Sequence, residues 1–211
     1  MSIKLGEIAP DFKAETTEGT INFHKWLGNG WGILFSHPAD FTPVCTTELG
    51  TVAKLKAEFA NRNTKVLAVS VDPMGDHHEW IKDINETQKT TVNFPLIADH
   101  DKKVAMLYGM LHPEADSKHT VRCVFVIAPD KTVKLTLTYP PATGRNFHEI
   151  IRVLDSLQLT ANHKLATPAN WQQGEDCIIV PSVSDEQIPE LFPQGHYKVK
   201  PYLRYTSPPK K

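Results

Sequence analysis

Cys45, at the end of the segment PADFTPVC (residues 38–45), is the residue best placed for nucleophilic chemistry. A buried-strand pattern at 31–35 leads into this segment, and a helical pattern begins at about Cys45. A cysteine in the first turn of a helix faces unpaired backbone N–H groups and the positive end of the helix dipole. Both favour the thiolate, which is the nucleophilic form, so the spacing predicts a reactive thiol.

Two prolines, Pro38 and Pro43, bracket the loop before Cys45. They should make it rigid, as a preorganised site requires. A plainer interpretation treats Cys45 as a small hydrophobic residue of the core, because free cysteine is among the most buried residue types. Position alone leaves both interpretations open.

The elements that would position this cysteine alternate along the chain. We expect strands at 31–35, 65–71, 96–98, 121–127 and 132–138, helices at 45–61, 76–89, 102–108 and 146–159, and an early strand at 20–23. This order predicts an α/β sandwich around a central mixed sheet flanked by helices.

The composition and the hydrophobic pattern of the sequence change after residue 160. Prolines cluster there, helical periodicity fades, and the pattern predicts one short strand at 177–180. About fifty residues of this kind are not expected to build an independent core. We therefore expect a globular domain at 1–160 and a C-terminal extension at 161–211 that packs on the first domain or on a partner subunit.

Composition narrows the function classes. With 40% hydrophobic residues in 211, the chain can bury a core without disulfides, and a formal charge of -1 argues against a nucleic-acid partner. Three widely spaced cysteines suit free thiols in a reducing compartment. The N-terminus lacks a signal-peptide pattern, and no apolar run approaches the roughly 20 residues of a membrane span. A cytoplasmic protein without membrane insertion is expected.

The pattern Pro38-x-x-x-Thr42-x-x-Cys45, within the longer string FTPVCTTEL at 41–49, resembles the active-site signature of the peroxiredoxins. The similarity runs from PDF at 10–12 through TGRNF at 143–147 to YLRY at 202–205, and the long extension resembles that of the 1-Cys subfamily. The resemblance implies a thioredoxin-like fold. It also implies an antioxidant peroxidase that reduces hydrogen peroxide and organic hydroperoxides through a sulfenic acid at Cys45.

The resemblance assigns further roles around Cys45. Thr42 would offer its hydroxyl to sulfur and peroxide, and Pro38 would shield the site from water. Arg122 lies in an expected core strand, where a charge is costly without a partner. That partner would be the Cys45 thiolate, although a purely structural ion pair with a carboxylate is the alternative.

Three more residues match the family's site. Arg145 resembles its second arginine, which Glu48 would orient, and His37 matches a supporting histidine of the 1-Cys subfamily. Since the chain has five arginines, two at one site leave few for the surface.

The other two thiols decide how the sulfenic acid is resolved. Strand alternation should point Cys123 away from Arg122 and into the core. Cys177, in an apolar strand of the extension, is interpreted in the same way. The Val-Cys-Pro segment of 2-Cys relatives is absent, which predicts a 1-Cys cycle completed by glutathione, another small reductant or a redox protein. A peroxide sensor or holdase-type chaperone switched by Cys45 is the alternative.

A second activity reported for some members of the subfamily is not expected. Their phospholipase serine lies in a Gly-x-Ser-x-Gly-like segment, and here Gly30 occupies its position. His24 and Asp130 match the other two proposed members, but without the serine they predict no hydrolysis.

Neither a metal nor a cofactor is predicted. The run Asp76-His77-His78 has suitable residue types, but adjacent helical residues point about 100° apart and rarely chelate. Relatives of this type are usually homodimers. The extension carries side chains that we expect to be exposed and able to cover a second subunit: Tyr197, Tyr202, Leu203 and Tyr205.

Overall fold

A computed structural model describes residues 3–116 and 118–209 of the chain. The chain divides into two compact units, Met1–Phe147 and His148–Lys211. The last two residues of the expected extension, Lys210 and Lys211, lie outside the described residues. In the part that is described, no helix is both long enough and apolar enough to cross a bilayer.

The first unit alternates strands and helices. Its elements are β1 (Lys13–Thr16), β2 (Gly19–Asn22), α1 (Phe23–Leu27), β3 (Trp31–Ser36), α2 (Pro43–Lys54), α3 (Lys56–Ala60), β4 (Thr64–Ser70), α4 (Met74–Gln88), β5 (Leu96–Ala98), α5 (Lys103–Leu107), β6 (Arg122–Ile127) and β7 (Val133–Tyr139). The expected strands and helices are therefore confirmed, with boundaries shifted by one or two residues at most positions.

One seven-stranded sheet forms the centre of this unit, in the order β2-β1-β5-β4-β3-β6-β7. Strand β4 pairs in parallel with β3 and β5, and the other pairings are antiparallel. Every residue of β3 and β6 is buried. The expected mixed sheet is confirmed, and its central strand β3 leads directly into the loop that precedes Cys45.

Three details differ from expectation. The four-residue strand β1 was not predicted, because Lys13–Thr16 has no apolar alternation. Phe23 begins helix α1 instead of ending a strand. The helix expected at 45–61 begins earlier, at Pro43, and breaks at Leu55. Proline suits the first helical position because its fixed φ is helical and its missing N–H needs no partner.

The second unit contains more structure than its prolines suggest. Its elements are α6 (Phe147–Asn162), β8 (Leu165–Ala166), β9 (Cys177–Ile179), α7 (Ile188–Leu191), β10 (Tyr197–Lys200) and β11 (Leu203–Thr206). The strands form an antiparallel sheet in the order β10-β11-β9-β8. Of these four strands, only β9 was predicted from the sequence, because strands of two to four residues are too short to show a clear period.

This unit also has its own apolar cluster. The members are buried and widely separated in sequence: Leu165, Trp171, Cys177, Ile179, Val183, Ile188 and Phe192. The expectation that the segment builds no core was therefore wrong, because the sheet brings together short apolar runs that sequence proximity does not.

Of the four side chains that we expected to be exposed, two are exposed and two are half-buried. Tyr197 and Tyr202 are 51% and 71% exposed. Leu203 and Tyr205 are half-buried, because β11 lies between β10 and β9 and Tyr205 stacks on Tyr197 with ring centroids 5.3 Å apart.

Candidate active site

Cys45 lies in the first turn of helix α2, as the spacing predicts. Thr42 caps the helix with extended backbone angles, and Pro43 is its first residue. The fully buried strand β3 leads into the loop, so the cysteine is held at the carboxyl end of a central strand. Cys45 itself has 0% exposure. The backbone therefore places a covered thiol at the positive end of a helix.

Arg122, at the start of β6, contacts this thiol. Its Nη1 lies 3.4 Å from Cys45 Sγ and 2.7 Å from Glu48 Oε2. Its Nε and Nη2 donate to the Pro141 carbonyl at 2.9 and 2.6 Å. The sequence left two alternatives for Arg122, a contact with the thiol and an ion pair with a carboxylate, and the structure contains both. Together these contacts fix the plane of the guanidinium group.

Glu48 joins two arginines, one helical turn beyond Cys45. Arg145 donates to Oε1 from its backbone N–H at 2.7 Å and from Nε at 2.9 Å, and to Oε2 from Nη2 at 2.7 Å. Arg145 Nη1 donates to the Cys123 carbonyl. The expected orientation of Arg145 by Glu48 is therefore present in the structure.

The charges of this cluster do not cancel. The Arg122, Arg145 and Glu48 side chains are 3%, 0% and 3% exposed. Two guanidinium cations against one carboxylate give these three residues one excess positive charge, and Arg122 lies next to Cys45 Sγ. The cluster therefore places a cation beside the sulfur, where it can stabilise negative charge during a reaction.

The ionisation of Glu48 is central to this balance. Burial by itself raises the pKa of Glu48, but the hydrogen bonds and charge of Arg145, and then the charge of Arg122, outweigh it and lower the pKa. Ionised Glu48 therefore stabilises the fold above its ordinary pKa of 4.5, and this contribution is lost as the pH falls through the lower value of the folded protein.

Glu48→Gln is expected to lower the free energy of unfolding by about 3 kcal/mol at neutral pH, because it leaves two buried guanidinium groups without their anion. The difference between wild type and variant should shrink as the pH falls below 4.5, because Glu48 of the unfolded chain then takes up a proton, and it should be lost once the pH passes below the lowered pKa of Glu48 in the folded protein. Urea unfolding at a series of pH values measures it. A difference that does not change with pH would contradict this account.

Thr42 does not make the hydrogen bond to sulfur that the resemblance implies. Its single hydroxyl proton is donated to the Ala39 carbonyl at 2.8 Å. Its own carbonyl accepts from the N–H and the hydroxyl of Thr46. The hydroxyl oxygen of Thr42 keeps its acceptor capacity, and its expected role toward sulfur and peroxide stays a prediction. Pro38 is buried in the same loop.

His37 is also buried, and its partner is Asp40, at 2.9 Å between Nε2 and Oδ1. Asp40 contacts His77 of α4 through its other oxygen. The sequence did not predict that Asp40 and His77 would be hydrogen-bonded to this part of the site. A signal was available, because His77, Trp80 and Ile84 follow helical spacing and share the buried face of α4. His78, next in the chain, is exposed, so the two adjacent histidines point apart as expected.

The other two thiols are core residues, as predicted. Cys123 is 2% exposed and packs in the apolar cluster of the sheet with Phe125 and Ile127. Cys177 is 0% exposed in the cluster of the second unit. Burial raises the pKa of both thiols, which makes them poor nucleophiles. All three cysteines of the chain are free.

The sheet order and the thiol at the start of α2 define a thioredoxin-like fold built around a reactive cysteine. Residues 5–136 match the model of the AhpC/TSA family, and residues 156–193 match the C-terminal domain of 1-Cys peroxiredoxin. The chain belongs to the peroxiredoxins, in the 1-Cys group, and it is a peroxidase.

Similar proteins span nearly its whole length. A 1-Cys peroxiredoxin of Dictyostelium discoideum is 58% identical over 209 residues, which are 99% of this chain and 87% of the relative. Peroxiredoxin-6 of Homo sapiens is 51% identical, with 97% of each chain covered. The crystal structure of a mutant peroxiredoxin 6 of Arenicola marina has a TM-score of 0.92 at 48% identity and covers 100% of both chains. A yeast mitochondrial 1-Cys peroxiredoxin has a TM-score of 0.91 at 48% identity, with 97% and 99% covered.

Proposed function

We propose that this peroxidase reduces hydrogen peroxide and organic hydroperoxides in a 1-Cys cycle with Cys45 as its nucleophile. The observation that carries the proposal is the 3.4 Å contact between Arg122 Nη1 and Cys45 Sγ, within a buried cluster that has one excess positive charge. The contact supports a thiolate at Cys45 and a cation beside the reacting atoms.

The first step is a displacement at oxygen. The Cys45 thiolate attacks the terminal oxygen of the hydroperoxide, an S–O bond forms, and the O–O bond breaks. The products are a sulfenic acid and an alkoxide or hydroxide, which takes a proton from solvent. Arg122, with Arg145 behind Glu48, stabilises the negative charge that moves from sulfur to the departing oxygen. Thr42, whose own proton is engaged, accepts a hydrogen bond from the hydroperoxide, and Pro38 excludes water.

The second half of the cycle uses an outside thiol. A thiol condenses with the sulfenic acid to give a mixed disulfide and water, and a second thiol releases Cys45 with formation of an external disulfide. The raised pKa values of the Cys123 and Cys177 thiols support this route, because neither is readily ionised. The yeast relative is described as resolving its thiol via glutathione and thioredoxin systems, and we propose glutathione or a comparable thiol here.

Replacing both Cys123 and Cys177 is the test of the 1-Cys cycle. Steady-state turnover of the double serine variant with a hydroperoxide and glutathione should match that of wild type. Since serine adds a buried hydroxyl at about 1–3 kcal/mol per site, the double alanine variant controls for lost stability. Loss of turnover in both folded variants would mean that an internal thiol resolves Cys45. A single turnover followed by arrest, with glutathione or thioredoxin as donor, would favour a peroxide sensor or holdase.

Phospholipase activity is not part of the proposed function. Gly30 supplies no nucleophile, the His24 ring bonds the Ala9 carbonyl at 2.7 Å, and Asp130 accepts from Thr132. Hydrolysis of phosphatidylcholine vesicles by the pure protein would refute this.

We further propose a cytoplasmic homodimer with a peroxidase domain at 1–160 and an extension at 161–211. Exposed Tyr197 and Tyr202, and the position of β7 at the edge of the large sheet, support association between copies. Light scattering of the eluting protein gives the oligomeric state.

A further inference from the structure

A hydrogen-bonded chain of buried polar side chains links the loop before Cys45 to helix α4. We propose that His77 is a positioning residue of the active site: through Asp40 it holds His37 in the neutral form with its proton on Nε2. The proposal rests on the proposed function only for its kinetic consequence, since the state of His37 can be measured without peroxide.

The hydrogen-bond partners of His77 determine its protonation. Nε2 faces the Ile97 carbonyl at 3.1 Å, and a carbonyl only accepts, so this nitrogen carries a proton. Nδ1 faces Asp40 Oδ2, which accepts when Asp40 is ionised. With an acceptor at both nitrogens, His77 is an imidazolium paired with the Asp40 carboxylate.

The pKa directions agree with this assignment. Burial by itself lowers the pKa of His77, but the hydrogen bond and charge of Asp40 outweigh it and raise the pKa. Burial by itself raises the pKa of Asp40, but the hydrogen bonds of His37 and His77 lower it. Asp72 is the other charged group that acts on both histidines, and its Oδ2 accepts from the backbone N–H of Asp40 at 3.1 Å.

His37 is held in the opposite state. Its Nε2 lies 2.9 Å from Asp40 Oδ1 and donates to it, whereas Nδ1 is buried and has no partner among the described residues. Burial is the dominant effect and lowers the pKa of His37. Because the Asp40 charge is already matched by His77, no second cation is required beside it. His37 therefore keeps an unprotonated acceptor nitrogen.

Helix α4 connects the His37, Asp40 and His77 side chains to the start of helix α2, next to Cys45. Trp80, one turn after His77, donates from Nε1 to Thr46 Oγ1 at 3.1 Å, and Thr46 follows Cys45 in α2. The Trp80 ring also lies 5.2 Å from the His37 ring. One buried face of α4 thus holds the loop at Asp40 through His77 and the start of α2 at Thr46 through Trp80.

Charge counting gives the consequence of losing His77. With His77 as a cation, His37 neutral, and Asp40 and Asp72 ionised, the cluster carries a net charge of about -1. A neutral residue at 77 would leave two carboxylates unmatched, and His37 would then take up a proton. His77→Gln should therefore raise the pKa of His37 and remove its free acceptor nitrogen. Asp40→Asn should act oppositely, leaving His37 neutral and lowering the pKa of His77.

The test is ¹H–¹⁵N spectroscopy of the imidazole rings in reduced, full-length protein across about pH 5 to 8, the range in which histidines ordinarily titrate. In wild type, the His37 signals should keep the pattern of the neutral Nε2–H form. In His77→Gln, they should change to the imidazolium pattern and titrate. His78→Gln, on the exposed face of the same helix, is the matched control and should leave His37 unchanged.

The kinetic readout is the rate of sulfenic acid formation at Cys45 against pH. His77→Gln should add an ionisation to the profile that coincides with the His37 titration. A His37 that stays neutral in folded His77→Gln, or one that changes equally in His78→Gln, would overturn the proposal. If His77→Gln does not fold, Asp40→Asn decides, because an unchanged His77 titration in that variant would also overturn it. Failure of Cys45 as the nucleophile would leave these spectra unaffected, so the two outcomes are distinguishable.

Discussion

Cys45→Ser is expected to reduce peroxide consumption to the rate seen without protein while preserving the fold. A serine hydroxyl is not ionised at neutral pH. Among residues 3–116 and 118–209, the hydrogen-bonding contact to Sγ is the guanidinium of Arg122, which cannot act as a base to remove its proton. The oxygen can keep a hydrogen bond from that guanidinium, so the free energy of unfolding should change by only about 1 kcal/mol.

Steady-state peroxide consumption with glutathione, together with mass spectrometry of the peptide that contains residue 45, measures the effect. Cys123→Ser is the matched control, because it makes the same change at a buried thiol of the same unit. Sustained turnover by the Cys45→Ser protein would assign the chemistry to another residue.

Arg122→Gln is expected to slow the reaction of Cys45 with hydrogen peroxide by about 10²–10³, the usual cost of removing one preorganised donor from a developing anion. The change takes away the cation 3.4 Å from Sγ and leaves Glu48 paired with Arg145 alone, so the excess positive charge disappears. Both the thiolate and the negative charge on the departing oxygen lose their stabilisation.

Two measurements separate these effects. Alkylation of Cys45 by iodoacetamide at a fixed pH reports the reactivity of the sulfur, and its rate should fall in the variant. Stopped-flow mixing with peroxide reports sulfenic acid formation. Arg62→Gln, which removes a partly buried ion pair with Glu58 outside this cluster, is the control and should match wild type. Arg122→Lys should be intermediate, since lysine keeps the charge but not the planar fork that reaches Pro141. Equal rates for Arg122→Gln and wild type would remove Arg122 from the mechanism.

Much of the fold and the centre of the site could be predicted from the sequence. Long apolar runs such as 121–127 carry enough burial signal to predict a central strand, and a loop between prolines predicts the start of helix α2. The pairing of Arg145 with Glu48 came from the family resemblance, because residues 97 positions apart share no local pattern. The simultaneous contact of Arg122 with Cys45 and Glu48 needed the structure, since it depends on how β6 lies against α2.

The missed features have physical reasons. Strands β8, β10 and β11 have two to four residues each, which is too few to show a clear period, and β11 also pairs with β9, which lies far from it in sequence. The hydrogen bond from the Thr42 hydroxyl to the nearby Ala39 carbonyl was not predicted, because loop residues carry no periodic pattern that reveals such contacts. His77 was considered as a metal ligand beside His78, whereas its partner is Asp40, 37 residues earlier. Polar residues on the buried face of a helix predict a partner but not its identity.

The complete burial of Cys45 has a consequence for the sizes of the molecules that can react with it. Because no part of the residue is exposed, every reactant must wait for neighbouring side chains to move. Hydrogen peroxide is nearly as small as water and can enter through a brief, local fluctuation. A tripeptide thiol needs a wider opening, which is rarer because it breaks more contacts. Oxidation and re-reduction of the same sulfur should therefore require openings of different size. Added sucrose, which favours compact states, should slow re-reduction more than oxidation.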